Sequence, residues 1–74
     1  MSNRVLTSLQ NETADRCVDI FVREDGTYGY EEYRRDVEDG KGWFPLNRYA
    51  RQVFPDEAHA LAQARATVAW LKSA

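Results

Sequence analysis

From Cys17 to Tyr49 the chain alternates apolar and polar residues with a period of two, and beyond Pro55 it changes to the 3.6-residue period of an alanine-rich helix. Strands followed by a single helix constrain the fold strongly, because one helix can cover only one face of a sheet. The expected architecture is α+β: a three-stranded antiparallel sheet with one C-terminal helix packed on one face. Apolar side chains on the other face must then meet solvent, the N-terminal segment or a partner.

With 74 residues there is room for one domain. Residues 16–74 form the expected β-β-β-α unit. The preceding 1–15 are polar, with Val5, Leu6 and Leu9 as sizeable apolar side chains after Met1, and are expected to be a partly ordered, flexible tail, with a short helix or an extra strand as the alternatives. A domain this small buries only about 60% of the surface its unfolded chain exposes, so it needs reinforcement. One cysteine rules out an intrachain disulfide, and one histidine beside it is too few ligands for structural zinc. No cofactor is expected, and oligomerisation is the reinforcement left. No apolar run is long enough to cross a bilayer and the N-terminus lacks the hydrophobic stretch of a secretion signal, so the expected location is cytoplasmic.

Cys17–Arg23 and Thr27–Arg34 are two β-type runs joined by Glu24-Asp25-Gly26, the pattern of a hairpin. A two-residue loop would set Ile20 opposite Glu31, a poor core. A three-residue loop, with Glu24 and Asp25 in a type I turn and Gly26 left-handed, sets Val22 opposite Tyr28 and Ile20 opposite Tyr30. Shifting register by one residue turns every side chain over, so the apolar pattern selects the three-residue loop. Phe21 then lies across from Gly29, where an aromatic ring can cover bare backbone.

After a charged loop from Arg35 to Gly42, Trp43–Tyr49 reads as a third strand, at an edge because Pro45 has no amide hydrogen to donate. Pro55, Asp56 and Glu57 suit a helix start. Leu61, Ala64, Val68 and Leu71 recur at helical spacing, and the expected core sets Leu61, Val68 and Leu71 against Val18, Ile20, Val22 and Phe44.

Few residues suggest chemistry. Cys17 and His59 are the one nucleophile–base pair available, and the register puts the thiol on the face away from the helix that carries His59. Asp36, Glu38 and Asp39 lack the ligand spacing of a calcium loop. Glu24, Glu31 and Glu32 read as ordinary exposed carboxylates rather than acid–base groups. Arg34-Arg35 could hold an anion, but acids flank both sides and local ion pairing is expected. Between Cys17 and Tyr49 five bases stand against eight acids, the wrong sign for a sheet that grips phosphates. The aromatic residues are more suggestive. If Phe44 and Leu46 face the helix, Phe21, Tyr33, Trp43 and Tyr49 share the opposite face, and exposed aromatic patches mark interfaces. The expected function is therefore a non-enzymatic protein-interaction module whose partner is another protein or a second copy. A nucleic-acid-binding sheet using Arg23, Arg34, Arg35 and Arg48 is the alternative, and no small-molecule substrate is indicated.

The stretch Val18–Asp36 with Gly42-Trp43-Phe44-Pro45 and the closing Val68-Ala69-Trp70-Leu71 resembles small uncharacterised bacterial proteins. That resemblance implies a cytoplasmic β-β-β-α protein and no activity. Strand order alone is similar to the three-stranded DNA-binding modules at integrase N-termini, which is fold analogy without bearing on function.

Overall fold

The computed structural model describes residues 3–36, 38, 40 and 42–72. Among them four strands form one antiparallel sheet in chain order: β1 (Arg4–Gln10), β2 (Arg16–Val22), β3 (Tyr28–Arg34) and β4 (Phe44–Pro45). The helix α1 (Glu57–Thr67) packs on β2 and β3, and a last helical turn, α2 (Ala69–Lys72), follows it. The class is α+β as expected, with four strands in place of three.

Of the readings open for residues 1–15, the extra strand is the one formed, and it replaces the flexible tail. Leu9 pairs with Val18 and Thr7 with Ile20, so this segment adds side chains to the helix side of the sheet. One extra residue between Val5 and Thr7 makes a bulge. The β1–β2 connection is held by its own polar side chains. Asn11 Oδ1 accepts the amides of Asp15 at 3.1 Å and Arg16 at 3.0 Å, and Asn11 Nδ2 donates to Asp15 Oδ1 at 2.7 Å. Ala14 takes a left-handed conformation there, with φ 57°. Asparagine and aspartate bracketing a short polar stretch are a turn signature, and it is the signal that would have disclosed β1.

The β2–β3 hairpin has the expected register: Val22 opposite Tyr28, Phe21 opposite Gly29, Ile20 opposite Tyr30. The Gly26 amide donates to Arg23 O at 3.0 Å and the Arg23 amide to Thr27 O at 2.8 Å, closing a three-residue loop with Gly26 at φ 85°. The third expected strand is much shorter than Trp43–Tyr49. Only Phe44 and Pro45 pair with β3. The chain then swings out and rejoins at Phe54, which exchanges two backbone hydrogen bonds with Tyr28.

Val18, Ile20 and Tyr30 meet Ala60, Ala64, Val68 and Leu71 in the core, with Leu9, Tyr28, Tyr49, Phe54, Leu61 and Trp70 around them. Two expected members are elsewhere. Phe44 is 48% exposed and Val22 is half-buried outside the cluster. The helix also turns its alanine edge to the sheet: Ala60 and Ala64 are fully buried and Leu61 only half. Small side chains let the backbones approach, and Tyr30 fills the space that a leucine would have taken. The expected single helix is interrupted at Val68, whose extended conformation (φ −83°, ψ 117°) turns its side chain and Leu71 inward. Thr67 and Val68 are β-branched, and Thr67 Oγ1 bonds back to Gln63 O at 2.8 Å, both of which weaken a helix at that point. Among the described residues no helix is long and apolar enough to cross a membrane.

Candidate functional site

Alternation along the strands puts Ser8, Gln10, Cys17, Asp19, Phe21, Gly29, Glu31, Tyr33 and Pro45 on the face opposite α1. The two ends of that face differ. At the hairpin end Phe21 lies over Gly29 and the Arg23 guanidinium stacks on its ring at 5.0 Å. Arg23 then reaches across to Ala50 O at 2.6 Å and Gln52 O at 3.0 Å, and Phe21 is left 5% exposed. The ring is covered by its own chain.

Beside it stands a carboxylate with four backbone amides as partners. Glu31 is 2% exposed, and its carboxylate fills the gap where the chain leaves the edge of β3. Oε1 accepts the amides of Tyr49 at 3.1 Å and Ala50 at 3.0 Å; Oε2 accepts those of Glu32 at 2.8 Å and Arg48 at 3.2 Å. Arg23 holds the carbonyls of this 48–52 segment and Glu31 holds its amides. Neither carboxylate of the Glu31-Glu32 pair is the exposed group the sequence suggested. Glu32 is also buried, on the helix side, accepting from Trp70 Nε1 at 2.9 Å with Arg48 at 3.7 Å.

The four aromatic residues expected to share this face separate. Tyr33, opposite Pro45, is on it, and Trp43 stacks under Arg35 at 4.8 Å; both are half-buried. Arg35 is fixed by donating its Nε to Ala14 O at 2.8 Å. Phe21 is on the face but covered. Tyr49 is on the other side, stacked on Tyr30 with centroids 5.0 Å apart, because the Glu31 carboxylate draws its backbone inward at the sheet edge. Tyr33, Pro45 and Trp43 with Arg35 thus make up the apolar end of the far face.

Cys17 lies between them and β1. Ser8 Oγ donates to Asp19 Oδ1 at 2.7 Å, and Cys17 Sγ to the same oxygen at 3.2 Å. Burial pushes the thiol above its ordinary value and does the same to the Tyr33 phenol. His59 is on α1, across the sheet, where Nδ1 lies 2.7 Å from Asp56 Oδ1. Thiol and imidazole do not meet. Among the described residues no three histidine, cysteine or acidic side chains are grouped to hold a metal.

The arginines divide into two groups. Arg23 and Arg35 are occupied by backbone carbonyls of their own chain, whereas Arg34 and Arg48 line an open cleft of about 560 Å³ at the end of the sheet together with Arg16, Asp15, Asp36, Leu46 and one side of Arg35. Arg16, opposite Arg34, escaped the sequence reading because only the strand register brings the two together. A second cleft of about 600 Å³ separates Leu9–Thr13 from Arg65, Trp70 and Leu71. Compared with protein-family models, curated proteins and solved structures, the chain matches none.

Proposed function

We propose that this protein is a non-enzymatic interaction module that pairs with a second copy of itself through the sheet face opposite α1. The observation that carries the reading is the group of half-buried Tyr33 and Trp43 with exposed Pro45 at one end of a face that neither α1 nor α2 covers. Self-pairing is favoured over a foreign partner on two grounds. A small core without a disulfide gains most from oligomerisation. The face also carries Asp19 and Arg35 together, so a copy displaced along the strands can set base against acid across a two-fold axis.

Magnitudes limit the affinity. Three seven-residue strands, spaced about 4.8 Å apart with about 3.4 Å per residue, present roughly 350 Å² of face. Stable complexes bury about 800 Å² per partner, so the dimer is expected to be weak, in the micromolar range or above. Sedimentation equilibrium from about 10 μM to about 1 mM brackets that range. The expected result is reversible association that is lost in the Tyr33→Ser/Trp43→Ser double variant while its circular dichroism stays native. A wild type still monomeric at the upper concentration defeats the proposal. The engagement of Arg23 and Arg35 by backbone carbonyls of the chain itself supports this reading over a nucleic-acid-binding sheet, which would need them free for phosphates.

A further inference from the structure

We propose that Arg16, Arg34 and Arg48 form a phosphate-binding cleft at the end of the sheet that α1 leaves open. Arg16 and Arg34 are direct cross-strand partners, at the end of β2 and β3 remote from their hairpin. Such partners have Cβ atoms about 5 Å apart, and like charges in that position destabilise a sheet. Among the described residues neither guanidinium closes a hydrogen bond or ion pair. The acids beside them make their hydrogen bonds elsewhere, Asp15 keeping only a charge attraction to Arg16. Asp15 takes Asn11 Nδ2 at 2.7 Å and Thr13 Oγ1 at 2.6 Å, and Asp36 takes the Glu38 amide at 3.0 Å. Arg48, 61% exposed, rests only loosely at 3.7 Å from the buried Glu32 carboxylate.

A ligand of opposite charge turns this repulsion into binding energy. Arginine forks match tetrahedral oxyanions through paired N–H donors. A carboxylate has two coplanar oxygens to offer three guanidinium groups, whereas a phosphate has acceptors in three directions and close to two negative charges. Arg16, Arg34 and Arg48 outnumber the two aspartates on the cleft wall, so the cleft favours an anion. The cleft exceeds the bare ion in size, and Leu46 lines it, so a phosphate monoester has room for its organic part against an apolar wall. Arg16 and Arg34 alternate onto the helix side at the end of the sheet, so the site does not depend on self-association through the other face.

The test is a thermal-shift and NMR titration with inorganic phosphate, against chloride at matched ionic strength, with a nucleoside monophosphate as a second arm. Phosphate is expected to raise Tm with saturation and to move the Nε–Hε signals of Arg16, Arg34 and Arg48. Tighter binding of the monophosphate places its organic part at Leu46; equal binding assigns the site to the phosphate alone. Arg34→Gln should raise Tm in chloride by removing the repulsion while weakening phosphate binding about tenfold, the loss of one charge-assisted contact. Arg65→Gln, on the exposed side of α1, should change neither. If Arg34→Gln does not fold, Arg48→Gln, outside the strand pair, carries the affinity measurement. Shifts that are linear in phosphate, that chloride reproduces, or that survive in the arginine variant overturn the proposal.

Discussion

At the scale of single residues, the far face is organised by a carboxylate used as backbone. Glu31 supplies, from its side chain, the acceptors that the β3 backbone would have offered residues 48–50 had β4 continued through them. Glutamine has nearly the same shape, but its amide nitrogen would point a donor at two of the four donors that the carboxylate accepts. Two buried or part-buried amides losing their acceptor, at about 1–3 kcal/mol each, set the expected cost of Glu31→Gln at about 2–6 kcal/mol by urea denaturation. A loss below half a kcal/mol would mean that water replaces the carboxylate there. Cys17 illustrates the opposite use of burial. Its thiol is held above its ordinary value of 9.0 by desolvation and is 6% exposed, so modification by a disulfide reagent at pH 8 should be much slower in native than in urea-unfolded protein. Equal rates would show that the thiol is open to solvent.

At the scale of elements, two features locate the sheet. Gly29 is the first. A methyl group there would stand 2.6 Å from Arg23 Nη2 and 3.0 Å from two carbons of the Phe21 ring. The arginine end is flexible in principle, but it is tied to Ala50 and Gln52, so relief of the clash also loosens that segment. Gly29→Ala is expected to cost about 1–3 kcal/mol, the usual range for overpacking, and to speed hydrogen exchange at residues 48–52. Unchanged exchange would separate Arg23 from the anchoring of that segment. The second feature is β1. It covers one edge of β2 and ties to α1 through Thr7 Oγ1, which donates to Glu57 Oε2 at 2.6 Å. Deleting residues 1–10 should therefore expose the β2 edge and Val18, giving a chain that aggregates or melts far below the full-length protein. A truncated protein of unaltered Tm would return this segment to the status of a tail.

At the scale of the whole molecule, acid and alkali act on different parts. Asp15, Asp25 and Asp56 each hold one connection, and hydrogen bonds in the folded state lower all three below their ordinary value of 3.8: from Thr13 and Asn11 to Asp15, from Thr27 to Asp25, and from His59 to Asp56. Depressed carboxyl groups contribute stability that is present above pH 3.8 and lost as the pH falls through their folded values. Burial raises Cys17, Tyr30 and Tyr33. Their contribution is complete below their ordinary values, 9.0 for the thiol and 10.0 for the phenols, and is lost as the pH rises beyond them. Tm is thus expected to be flat around neutrality, to fall below about pH 4 and to fall again above about pH 9. A Tm unchanged between pH 7 and pH 3 would remove the aspartate caps from this account.

What the sequence determined by itself is what neighbours within a few residues decide. The hairpin register follows from Gly26 in a left-handed position and from which side chains a one-residue shift would turn over, so it was legible, as was the placement of Phe21 over Gly29. The placement of Cys17 away from α1 follows from the same alternation. The tertiary structure alone decided the contacts made between distant segments. Glu31 is buried because its amide partners arrive 17 to 19 residues later, and those bonds draw Tyr49 to the core side and end the strand that periodicity extended to it. Ala60 and Ala64 face the sheet in preference to Leu61 because Tyr30, capped by Thr67 at 2.7 Å, occupies the volume between them. Arg16 meets Arg34 only once β2 and β3 are in register. Local pattern chooses a side chain's face, but the segment that comes to cover that face is chosen by packing and hydrogen bonds that no short window of sequence contains.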